Sequence, residues 1–185
     1  MLLLTLGLAI FLTVHLIPTF AGLRQKLIGW KGAAFYRIGY SGAALAGLIL
    51  IIVGKGRAEY IPVWYPPDWA YRITQVSMLI ALISIAAACL PTNLKRFMRH
   101  PFLTGLALWA LSHLLVNGDL ASIILFGGFG VFAVFDIWSC NRRGAKKADA
   151  KFPVSRDVIP VAVGIIVYGA ILHLHPYLFG VSAMP

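Results

Sequence analysis

Charge is scarce in this chain, and acidic charge scarcest. Of 185 residues only 12% are charged, with 6 acidic side chains against 16 lysines and arginines, and the one glutamate is Glu59. A soluble domain carries about a quarter charged residues. With 60% hydrophobic residues and a mean hydropathy of +0.85, a soluble globule is excluded. Cysteine is also sparse: Cys89 and Cys140 sit in no Cys-x-x-Cys or Cys/His spacing. That excludes a disulfide framework and a thiolate zinc site. Cys89 reads as a small buried hydrophobe near a helix end, and Cys140 as an interfacial thiol. There is no His-Glu-x-x-His, no glycine-rich phosphate loop, no Ser/His/Asp set and no pair of acidic residues within an apolar run. Hydrolysis and phosphoryl transfer therefore have no support.

What is present is a series of apolar runs. About 20 apolar residues cross a bilayer as a helix. Six candidates stand out: Leu2 to about Ala21, Arg37 to Gly54, Ile73 to Leu90, Pro101 to Val116, Leu120 to Trp138, and Val158 to Leu174. The expected fold is an all-α integral membrane bundle of about six helices, one domain over residues 1–185. The first run lacks a basic flank and an Ala-x-Ala site, so it reads as a retained span.

The net charge of +10 lies in the connections. The first holds Arg24, Lys26, Lys31 and Arg37, the third Lys95, Arg96 and Arg99, and the fifth Arg142, Arg143, Lys146, Lys147, Lys151 and Arg156. The second and fourth are nearly balanced. This alternation is that of the positive-inside rule, not of a nucleic-acid face. It predicts connections one, three and five in the cytoplasm and both termini outside.

The second connection is rich in aromatics and proline, from Trp64 to Trp69, and reads as an interfacial belt or a lid. Asn117-Gly118-Asp119 is a turn signal, with Gly118 suited to a left-handed helix end and Asp119 to an N-cap. The glycines Gly39, Gly42, Gly47, Gly127, Gly128 and Gly130 predict close helix approach.

Five histidines carry the remaining chemistry. His15 and His113 lie inside apolar runs, where ionisable groups are costly. Their expected depths differ by roughly 10 Å at 1.5 Å per residue. Neutral imidazoles at such positions can ligate haem iron between helices. Each can equally hydrogen-bond a neighbouring carbonyl as packing glue. His100, before Pro101, reads as an interfacial or capping residue. His173 and His175 read as a solvated terminus. Arg24, Arg37 and Arg99 can pair with haem propionates or simply mark topology. Asp136 reads as half of a surface ion pair with a loop arginine.

Several of these residues form a pattern: Val14-His15, Gly22-Leu23-Arg24, Tyr36-Arg37, Trp64-x-x-Pro67, and Arg99-His-Pro-x-x-x-Gly105-x-x-x-Trp109-Ala-x-x-His113-Leu-Leu-x-Asn117-Gly-Asp119-x-x-Ser122-x-x-x-Phe126-Gly. In it the chain resembles the NnrU family of bacterial membrane proteins, from Leu2 to about Trp138, with the last span matched more loosely. The resemblance implies a multi-pass protein of the bacterial inner membrane, concerned with nitrite and nitric oxide metabolism. The family is similar in turn to plant 15-cis-zeta-carotene isomerase, a haem b enzyme. That similarity implies His15 and His113 as axial ligands. It also implies a small gaseous ligand or a lipid-soluble substrate. The isomerase has a cysteine where this chain has Ala110, so the redox-switched isomerase chemistry carries over less well than the haem.

Three readings follow: a haem b protein of nitrogen-oxide or related redox metabolism, an isomerase of a polyene, and a non-enzymatic accessory of a respiratory reductase or other redox partner. A fourth, an isoprenyl methyltransferase, shares the Arg99-His100-Pro101 start of a span. It would need a glutamate downstream, and Glu59 lies upstream.

Overall fold

A computed structural model describes residues 1–183. Its helices are α1 (Leu2–Leu16), α2 (Ala21–Gly56), α3 (Asp68–Cys89), the single-turn α4 (Leu94–Phe97), α5 (Pro101–Val116), α6 (Leu120–Arg142) and α7 (Ser155–Phe179). A 3-10 turn at Ile17–Thr19 joins α1 to α2, with Pro18 entering it. Among the described residues there is no strand, only one bridge between Pro62 and Asp119. Five helices are long and apolar enough to span a membrane: α1 with its 3-10 turn, α2, α3, α6 and α7. The apolar α5 is shorter, with 16 residues, or about 24 Å.

The first connection is not the loop the sequence suggested. Residues 21–31 are helical and run into α2, broken only at Gly32 with φ 85°. That backbone conformation suits glycine alone. Leu23, Leu27 and Trp30 share one side of this segment at helical spacing, with Arg24, Lys26 and Lys31 beside them. Such an amphipathic turn is stable where apolar and polar surroundings meet.

The bundle has two parts. α1, α2 and α6 enclose Leu4, Leu8, Ile51, Leu125 and Phe126. α3 packs between α5 and α7, burying Ala81, Ser84 and Ala87. The α5–α6 contact joins the two parts. Small residues set the helix separations. A Cβ on Gly54 would overlap the Leu4 amide nitrogen, and one on Gly47 would stand 2.9 Å from that of Phe11. Gly39, Gly42 and Gly127 meet nothing, so the close approach expected of them is absent. Cys89, expected to be buried, is exposed. It ends α3 two residues past Ala87, off the face that Ala81, Ser84 and Ala87 turn inward.

The first, third and fifth connections meet at one end of the bundle. Arg143 donates to the Thr19 carbonyl, Arg99 to Asn141, and Asn93 pairs with Phe152. The second and fourth meet at the other end, where Val63 and Trp64 donate to the Gly118 carbonyl and Leu120 to that of Ile61. Gly118 is not left-handed. It must be glycine because a Cβ would strike the Trp64 carbonyl, and the helix ends instead on an extended Asn117.

Candidate functional site

Two helices present the same local arrangement, an aromatic residue four positions before a histidine. In α1 the pair is Phe11 and His15, and in α5 Trp109 and His113. His15 Nδ1 lies 2.7 Å from the Phe11 carbonyl and His113 Nδ1 2.9 Å from the Trp109 carbonyl. A carbonyl oxygen only accepts, so each Nδ1 carries the proton and donates. In the neutral form that leaves the ring lone pair on Nε2, and among the described residues neither Nε2 makes a hydrogen bond. Anchoring of one nitrogen in this way is how metal-binding histidines are oriented.

The two histidines face a common helix. Along α6 stand Phe126, Phe129 and Phe132 at three-residue spacing. His113 stacks on Phe126 at 4.5 Å and His15 meets Phe132 edge-on at 6.4 Å. Between them Phe129 touches both Phe11, at 5.7 Å, and Trp109, at 5.5 Å. α1 and α5 therefore form the walls, and the phenylalanines the floor, of one aromatic groove. Six residues of α6 separate the two contacts, about 9 Å of rise, in keeping with the depth expected from sequence. The structure brings both histidines to one groove, with Phe11, Phe129 and Trp109 between them, and not to one point.

Nitrogen donors of the right tautomer, an apolar aromatic wall and nearby cations suit the chemistry of a haem. Among the described residues no group of three or more His, Cys, Asp or Glu forms a metal cluster, and haem ligation needs only one or two.

The arginines divide. Arg24 and Arg37 line one cleft of about 340 Å³ with Pro18, Tyr36, Tyr40 and Ser41. Tyr40 lies 5.6 Å from His15, which connects cleft to groove. Arg99 is elsewhere: its Nη1 donates to Asn141 Oδ1 at 2.7 Å, and His100 Nε2 approaches the same oxygen at 2.9 Å. His100 is the N-cap residue of α5, with Pro101 in the first turn. Asp136 pairs with Arg143 at 3.7 Å and accepts from Thr19. His173 is exposed, while His175 Nδ1 donates to the Val181 carbonyl.

Sequence reasoning missed one group. Lys55 Nζ reaches Asp119 Oδ1 at 3.0 Å and Ser122 Oγ at 2.8 Å, while Asp119 caps α6 by accepting from the Ser122 amide. The cap was legible; the lysine, 64 residues away, was not. The phenylalanine row of α6 was also overlooked, although its regular spacing could have revealed it.

Fold and site together define a polytopic helical membrane protein with paired intramembrane histidines on an aromatic groove. The family model for "NnrU protein" matches residues 3–183. The chain belongs to the NnrU family, and the match extends through α7, further than the sequence motifs alone suggested. No curated protein and no solved structure matches it.

Proposed function

We propose that this protein binds haem b in the membrane, with His15 and His113 as the residues that would hold its iron, and acts in nitrite and nitric oxide metabolism or related redox chemistry of the bacterial inner membrane. The observation that carries the reading is the shared tautomer of the two histidines, each with Nδ1 anchored and Nε2 unengaged in the walls of one groove. Arg24 and Arg37, in the cleft next to His15, and Arg99, hydrogen-bonded to Asn141, are the cations this reading offers to the propionates as charge-assisted donors. Bound haem would supply an iron that takes up nitric oxide or exchanges one electron. Joint ligation by both histidines requires the Phe11, Phe129 and Trp109 rings to part.

The test is the haem content of protein purified from haem-replete membranes. About one haem per chain is expected, with loss in a His15→Ala, His113→Ala double variant. A haem-free wild type, or a double variant that keeps its haem, overturns the reading.

The connection after α2, with Trp64, Tyr65 and Trp69 and hydrogen-bonded through residues 61–64 to the α5–α6 turn, favours a second reading as an isomerase of a long polyene, closed by this lid. Conversion of a cis polyene by the haem-loaded protein would support it. A third reading, an accessory of a respiratory reductase, predicts co-purification with that partner and no cofactor.

A further inference from the structure

The cleft beside the end of α1 holds side-chain donors that nothing among the described residues satisfies. Among the described residues, the guanidinium groups of Arg24 and Arg37 make no ion pair or hydrogen bond. Tyr36 Oη, in the same cleft, is buried and has no partner. Buried polar groups are nearly always paired, so an orphaned hydroxyl beside two free guanidinium groups marks a place for an acceptor. The acceptor must be anionic, because the cleft contains no carboxylate and two forked cations suited to phosphate or carboxylate oxygens. Ser41 adds a further hydroxyl to the lining.

The position of the cleft names the source. Its edge is formed by the amphipathic segment 21–31, whose exposed Leu23 and Trp30 belong at the level of lipid headgroups. Lys31 Nζ lies over the Trp30 and Phe35 rings at 4.7 and 4.9 Å, as expected for a cation at that boundary. From Arg37 toward the bilayer centre, α2 exposes Ile38 and Leu45, a track for an acyl chain. A phosphate held by Arg24, Arg37 and Tyr36 would stand at headgroup depth with its chains along α2.

We infer that this cleft binds the phosphate of an anionic phospholipid, with Arg24 and Arg37 as cations and the Tyr36 hydroxyl as a buried third donor. The proposal does not depend on haem, although haem propionates offer related oxyanion chemistry to the same arginines. The test uses haem-free full-length protein in mixed micelles, with bound lipid counted by native mass spectrometry. Phosphatidylglycerol should be retained at least several-fold over phosphatidylcholine. That preference should vanish in Arg24→Gln, Arg37→Gln and weaken in Tyr36→Phe. Tyr36→Phe removes only an unpartnered hydroxyl, so its melting temperature should match wild type and a folding defect cannot mimic the result. Equal retention of the two lipids, or a full preference in the double arginine variant, overturns the proposal. Displacement of phosphatidylglycerol by one equivalent of haem would reassign the cleft to propionates and overturn the lipid source. A lipid preference in a protein that never takes up haem would uphold this inference while the haem reading fails.

Discussion

Asp119 links three elements through one carboxylate. It caps α6, accepts from Lys55 at the end of α2, and lies beside the segment hydrogen-bonded to Gly118. Its burial pushes the carboxyl pKa up. Hydrogen bonds from the Ser122 hydroxyl and amide, with the Lys55 ammonium, outweigh that and hold it below the ordinary 3.8. The folded protein thus favours the ionised form. The resulting stability is complete above the unfolded value and is lost as pH falls through the lower folded value. The melting temperature of the wild type should therefore fall more steeply below pH 3.8 than that of Asp119→Asn. At neutral pH, Asp119→Ala should cost about 1–2 kcal/mol, chiefly through the lost cap, as measured by thermal unfolding in detergent. His15 and His113 were legible in the sequence because an ionisable ring in an apolar run is conspicuous. Lys55 was not, because a lysine near a span end has an adequate local explanation and its partner lies far along the chain.

At the scale of helices, α1 and α2 are held together by missing side chains. Gly54 lets the backbone at Leu4 approach, and a Cβ there would meet main-chain atoms that cannot rotate away. Gly54→Val should destabilise the protein by about 1–3 kcal/mol or more. Gly42→Val, facing open space, should change the melting temperature little. A comparable loss in both variants would refute the assigned packing. The apolar helices were legible from hydropathy, to within a few residues for α5 and α6, but six spans were expected and only five of the described helices are long and apolar enough to cross, α5 being too short. Which glycines touch a neighbour was not, because hydropathy gives no rotation of a helix about its axis. The helical segment 21–31 was also hidden, since its basic residues read as a loop. Its Leu23, Leu27 and Trp30 periodicity is short and cut off by Gly32.

Across the whole molecule, the basic connections gather at one end and the lid segment with Lys55 and Asp119 at the other. The positive-inside rule predicts that the basic end faces the cytoplasm. A cysteine replacing Ala148 should then be protected from a membrane-impermeant thiol reagent in intact cells, and one replacing Tyr60 should be labelled, both on a background with Cys89 and Cys140 replaced by serine. The reverse pattern would invert the topology. The groove crosses the molecule between these ends, with His113 toward the lid and His15 toward the cleft of Arg24 and Arg37. The sequence indicated their separation in depth but not the aromatic row that fills it, because that row is assembled from three helices.

The most direct measurement is the absorption spectrum of the haem-replete, detergent-purified protein, oxidised and dithionite-reduced, beside His15→Ala and His113→Ala. The account predicts a Soret band with sharp reduced visible bands in the wild type, shifted or lost in each single variant. A featureless wild-type spectrum, or bands indifferent to both substitutions, would contradict it and leave the two histidines as packing groups.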